Sequence, residues 1–119
     1  MGQFTVRATV ANPGDPARQA EVEWLVDTSA TLTWVAREIL QKIGAPPLPR
    51  RSFLRADGRR VERHTAAGVL KLNGAEASVT LVAAEPGDAQ PLGATALESL
   101  GFAVDPEGRR LLPRELLAM

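Results

Sequence analysis

The chain has 119 residues, and its 14 lysines and arginines are balanced by 14 aspartates and glutamates. That length fits one domain and falls short of two ordinary lobes, while the balanced charge excludes a general pull toward nucleic acid or an anionic membrane. Cysteine is absent and His64 is the single histidine, so disulfides, thiolate sites, histidine-rich metal clusters and imidazole triads are excluded or poorly supplied, and any chemistry rests on carboxylates or hydroxyls.

Phe4, Val6, Ala8 and Val10 alternate with Thr5, Arg7 and Thr9, the period of a half-buried strand, and Asn12-Pro13-Gly14-Asp15-Pro16 predicts a loop after it. From Ala20 to Asp27 the pattern alternates and then turns continuously apolar, as in a strand entering a core, which places Asp27 at a buried strand end. Val35, Ile39, Leu40 and Ile43 recur at helical spacing before Gly44 and Pro46-Pro47, a short helix with its stop signal. Two polar-apolar arms between Arg51 and His64 flank Ala56-Asp57-Gly58-Arg59, which predicts a protruding hairpin.

A second hairpin is predicted around Asn73-Gly74, with Val69, Leu70 and Leu72 facing Val79, Leu81 and Val82 as core material. Glu85-Pro86-Gly87-Asp88 reads as a loop. Ala94, Leu97 and Leu100 before Gly101 read as a second short helix. The tail continues as Phe102-Ala103-Val104, a turn at Asp105-Pro106-Glu107-Gly108, then Leu111-Leu112-Pro113, with a terminal helical turn from Arg114 as an option. No repeat or linker interrupts this order, so the expectation is one mostly-β domain over residues 1–119, closed or sandwiched, with one or two short helices. No stretch approaches membrane-spanning length and the first residues lack a basic, apolar leader, so a soluble, cytoplasmic protein is expected.

A carboxylate at the end of an apolar strand costs free energy unless hydrogen bonds or a second charge hold it there. Thr28, Ser29 and Ala30 follow Asp27 at once, and small residues let backbone amides turn back toward the carboxylate. On the residues alone, Asp27 is either such a held functional group or a cap of the following turn.

Leu25-Val26-Asp27-Thr28-Ser29-Ala30-Thr31 resembles the active-site strand and turn of retropepsins, the retroviral-type aspartic proteases, and of their prokaryotic single-lobe relatives. Pro91-Leu92-Gly93, with the helix from Ala94 to Gly101, resembles the second hallmark of that family. The segments Trp34 to Gly44, Ala56 to Arg59 and Val104 to Pro113 are similar to the prokaryotic branch in particular, so the resemblance runs from about Val22 to Pro113.

The resemblance implies a closed β-barrel lobe of the acid-protease type that acts as an aspartic endopeptidase, without metal or cofactor. In that mechanism two aspartates share a proton and activate a water for attack on a peptide carbonyl. This chain holds one Asp-Thr motif, so the second Asp27 would come from a second copy in a twofold homodimer. By the same resemblance Thr28 bonds across the dimer beneath the aspartates, the amides of Ser29 and Ala30 support the carboxylates and the substrate backbone, and Leu92-Gly93 packs behind the turn. The hairpin Ala56-Asp57-Gly58-Arg59 would be the flap over an extended peptide or protein substrate; an ordinary surface hairpin is the plain alternative.

Ser29 departs from the glycine usual in the family, and this motivates an alternative: a catalytically weak or inactive dimeric module that binds peptide segments. A small β-domain serving as an assembly part is a third reading. Trp24 and Trp34 flank the site as core, dimer-contact or pocket residues, and His64 reads as solvated. The pairs Arg50-Arg51, Arg59-Arg60 and Arg109-Arg110 read as solvated turn positions and not as a nucleic-acid face. Leu116, Leu117 and Met119 would cover a dimer edge or fray.

Overall fold

The alternation of the first apolar run becomes β1 (Thr5–Asn12), which pairs antiparallel with β2 (Asp15–Val26) in a computed structural model that describes residues 3–118. The loop expected over residues 12–16 is shorter than that. Only Pro13 and Gly14 lie outside the strands, because the Asn12 carboxamide oxygen accepts the Gly14 amide at 2.8 Å and a register shift between Ala11 and Asn12 takes up Pro16, Ala17 and Arg18 of β2. The Asn12 side-chain nitrogen also donates to the carbonyls of Ile43 and Gly44, at 3.0 and 2.9 Å. It thereby satisfies end carbonyls of the first helix as well as closing the turn.

That helix, α1 (Arg37–Ile43), ends at Gly44 in the left-handed conformation, as the stop signal implied. Val35 lies outside it, in β3 (Thr33–Ala36), which runs parallel to β6 (Ala75–Ala84) with Val35 opposite Ala83. The fully buried, β-branched Val35 packs from a strand, since parallel pairing with a distant segment outweighs the local helical spacing.

After Gly44 the chain forms β4 (Pro47–Leu54) and β5 (Arg60–Leu72), joined by a hairpin loop, and β5 returns through Asn73-Gly74 to β6. Asn73 and Gly74 have φ of 51° and 84°, the two positive values of a two-residue hairpin turn whose twist matches its strands. Leu70, Leu72, Leu81 and Val82 of this pair are buried, whereas Val69 and Val79 are only partly so. Two-residue β7 (Pro91–Leu92) lies parallel to the end of β2, and α2 (Ala94–Leu100) follows and stops at Gly101. β8 (Phe102–Asp105) and β9 (Arg110–Pro113) make a separate two-stranded sheet. Residues 114–118 are neither helix nor strand, and Met119 lies outside the described residues.

The domain is therefore mostly β with two short helices, but its strand pairing does not close. The main sheet runs β3-β6-β5-β1-β2-β7, with β4 attached to β5 alone. No backbone ladder joins the end strands β3 and β7 among the described residues. Pro91 has no amide hydrogen to offer such a ladder, and the Gly93 amide donates instead to the Thr33 hydroxyl at 3.0 Å. Trp24, Ile43, Leu70, Leu81 and Leu92 are fully buried in the core between the sheet and the helices. The Trp24 indole donates to the Trp34 carbonyl at 2.8 Å, which makes Trp24 a satisfied core residue. No described helix is long and apolar enough to cross a membrane.

Candidate functional site

β2 ends where Asp27 donates its amide to the Leu92 carbonyl at 3.1 Å, directly after buried Val26. The Asp27 side chain is half-buried at the mouth of the strand, less enclosed than the apolar run before it implied. Its Oδ1 accepts the Ser29 amide at 3.0 Å and the Ser29 hydroxyl at 2.6 Å. Two donors converge on one carboxylate oxygen, and Oδ2 receives neither. The Ala30 amide donates to the Asp27 main-chain carbonyl at 3.2 Å and closes the turn.

The turn is held from behind. The first amides of α2 donate to it, Ala94 to the Ala30 carbonyl at 2.8 Å and Thr95 to the Thr31 carbonyl at 3.1 Å. These bonds satisfy helix N-terminal donors that would otherwise lack partners. Leu92 is fully buried behind the turn, and Gly93 leaves no room for a side chain: a Cβ there would meet the carbonyl oxygens of Leu32 and Ala30.

Across from the turn stands the β4–β5 hairpin. Its tip is a four-residue turn from Arg55 to Gly58, closed by the Gly58 amide on the Arg55 carbonyl at 2.9 Å, with Gly58 at φ 87°. The left-handed residue is Gly58 alone, so the loop is of the longer hairpin type and not a two-residue turn on Asp57-Gly58. Ala56, Asp57, Gly58 and Arg59 are exposed. Between this hairpin and the turn lies a cleft of about 580 Å³, lined by Ser29, Ala30, Trp34 and Pro91 on one side and by Arg51, Phe53 and Arg55 on the other. Trp34 meets Phe53 edge to face at 5.2 Å between ring centres. Asp27 and exposed Thr28 face a second hollow of about 860 Å³ with Phe4, Val26, Leu97, Phe102 and Val104. Ser29 borders both. His64 is exposed on the hairpin's outgoing arm, and no described cluster of His, Asp and Glu has the geometry to hold a metal.

Asp88, which reads in the sequence as an ordinary loop aspartate, is the most heavily bonded carboxylate of the site. Its side chain is 4% exposed and accepts Arg63 Nε and Arg55 Nη2, each at 2.7 Å, and the Glu85 amide at 2.8 Å. The Arg63 guanidinium, then the Glu85 amide and Arg55, hold this carboxyl well below the usual carboxylate range against the opposing effect of burial. Asp88 in turn raises the Arg63 pKa. One signal was available: Arg55 and Arg63 alternate in phase with Phe53 and Val61, and arginines on the apolar face of a hairpin require a carboxylate beneath them.

Asp88→Ala leaves Arg63, 16% exposed, and Arg55 without their counter-charge, and should destabilise the fold by about 2–4 kcal/mol in urea denaturation at neutral pH. Because the folded-state pKa is depressed, the contribution is complete above the ordinary aspartate value and is lost as pH falls through the lower folded value. The gap between wild type and variant should therefore stay level from neutral pH to about 5 and shrink below about 4. A gap that widens in acid would assign Asp88 another role.

Compared with known proteins, the chain matches no protein-family model, and no curated protein matches it in sequence.

Proposed function

We propose that the chain is one half of a retropepsin-like aspartic endopeptidase, a single acid-protease lobe whose site is completed by a second copy. The observation that carries this reading is Asp27 at the end of β2, in a turn braced by Leu92-Gly93 and α2 and set across a cleft from a hairpin. The same carboxylate faces an open, largely apolar hollow, where a twofold partner would bring its own Asp27. With two carboxylates adjacent, one shared proton is retained. The ionised member takes a proton from water as it attacks the peptide carbonyl, and the protonated member polarises that carbonyl.

One observation favours a second reading, a dimeric peptide-binding module with little or no activity. The Ser29 hydroxyl adds a 2.6 Å donor to Asp27 Oδ1, occupying a carboxylate oxygen that a glycine at this position would leave open to water or substrate. One experiment separates the readings: sedimentation and cleavage of a mixed peptide library by wild type and by Ser29→Gly, over a range of protein concentrations. Cleavage whose specific rate falls as the dimer dissociates supports the endopeptidase. Cleavage by Ser29→Gly alone selects the binding module, and a monomer that cleaves nothing in either form sinks both.

A further inference from the structure

The β4–β5 hairpin is the most cationic part of a chain that is neutral overall. Between residues 50 and 63 it holds six arginines against Asp57 and Glu62. Most of these charges are accounted for: Arg50 pairs with Glu62 at 3.5 Å, Arg59 with Asp57 at 3.3 Å, and Arg55 and Arg63 share Asp88. Arg51 is not. It sits directly opposite Arg63 in the ladder, so both side chains leave the same face of the hairpin. Asp88 is already saturated by four hydrogen bonds, and no carboxylate among the described residues lies within 4 Å of Arg51. Its surplus charge lines the cleft beside Phe53 and Trp34, whose apolar surfaces displace water and strengthen an ion pair formed there.

The backbone beside Arg51 is also unpartnered. β4 pairs with β5 only, which leaves its other edge open. Pro47 and Pro49 deny amide donors to the first part of that edge, so strand addition is confined to Arg50–Leu54. A peptide strand laid there presents every second side chain to the cleft, in step with Arg51 and Phe53.

Building on the peptide-cleft reading proposed above, we infer that the cleft selects an extended peptide with an acidic side chain paired to Arg51 and an apolar side chain two residues away against Phe53 and Trp34. Arg51 is a specificity-determining residue, and Asp88 keeps Arg55 and Arg63 from competing for the same carboxylate.

The test uses ten-residue peptides blocked at both ends, so that side chains supply the only carboxylates, with Glu, Gln or Lys placed two residues from a leucine in a serine-alanine background. Binding to the full chain carrying Asp27→Asn is followed by fluorescence anisotropy, independently of cleavage. The Glu peptide should bind about five- to tenfold more tightly than its Gln counterpart, as a partly desolvated charge-assisted pair does, and the preference should weaken with added salt. Arg51→Gln should bring the two peptides within about twofold, and Arg51→Glu should favour the Lys peptide. Arg60→Gln, which removes the same charge from the opposite face of the hairpin, should keep the Glu preference. Absence of binding, equal binding of Glu and Gln peptides, or a preference that survives Arg51→Gln would overturn the inference. Glu-selective binding without cleavage by the wild-type chain would sink the endopeptidase reading and leave this one standing.

Discussion

Asp27→Asn should lower peptide-bond cleavage by at least about 10³-fold, the scale set by removing a carboxylate that both activates water and carries the shared proton. The fold should be almost unaffected. Asparagine has the shape of aspartate, and its side-chain oxygen can still accept the Ser29 amide and hydroxyl that Oδ1 accepts, so the stability change should stay within about 0.5 kcal/mol. The more informative measurement mixes the two proteins. If each site needs one Asp27 from each chain, random reassortment of equal amounts leaves about one quarter of the dimers with two carboxylates, and activity falls to that fraction. An activity that falls only to one half would mean that each chain holds a complete site. Cleavage that survives in the pure variant would remove Asp27 from the mechanism.

Much of what positions Asp27 was legible in local sequence because it depends on local backbone demands. Gly44 and Gly101 end their helices with left-handed φ, and Asn73-Gly74 forms the tight turn its residues favour. Leu92 is fully buried behind the turn, and Gly93 abuts its carbonyls. What escaped local reading depends on distant partners. Val35 has helical spacing yet belongs to a strand, because β6 offers a parallel neighbour 48 residues away, Val82 to Ala84 opposite Trp34 to Ala36. β2 begins earlier than its apolar pattern implies, because Asp15-Pro16-Ala17-Arg18-Gln19 shows no strand alternation; Asp15 and Gln19 are held by pairing with β1, and the Arg18 guanidinium donates to the Lys42 carbonyl at 3.0 Å. A closed barrel was expected from the family resemblance, whereas β3 and β7 are bridged by a threonine hydroxyl and not by a ladder. Asp88 reads locally as an ordinary loop aspartate, because its role depends on two arginines that reach it from the distant β4–β5 hairpin.

Gly93→Ala should be the most damaging single-methyl change in the molecule. The backbone at Gly93 is extended, with φ −91° and ψ 176°, so its conformation suits any residue and the objection is purely one of space. A Cβ would lie 2.7 Å from the Ala30 carbonyl oxygen and in still closer conflict with that of Leu32. Neither obstacle is a flexible side chain. Both carbonyls belong to the turn after Asp27, and Ala30 is fixed further by the 2.8 Å bond from Ala94. Relief requires the turn or α2 to move, which strains the Ala94–Ala30 bond and the buried Gly93–Thr33 bond together. Overpacking plus weakening of two hydrogen bonds should cost about 3 kcal/mol or more, read as a lower urea midpoint with an unchanged slope. Gly101→Ala is the comparison: its φ of 82° disfavours a side chain, but the nearest obstacle is 3.5 Å away, so only about 1 kcal/mol is expected there. If Gly93→Ala proves no more costly than Gly101→Ala, the turn is not clamped by α2, and the bracing that holds Asp27 in place must come from the Asp27–Leu92 and Ser29–Asp27 bonds alone.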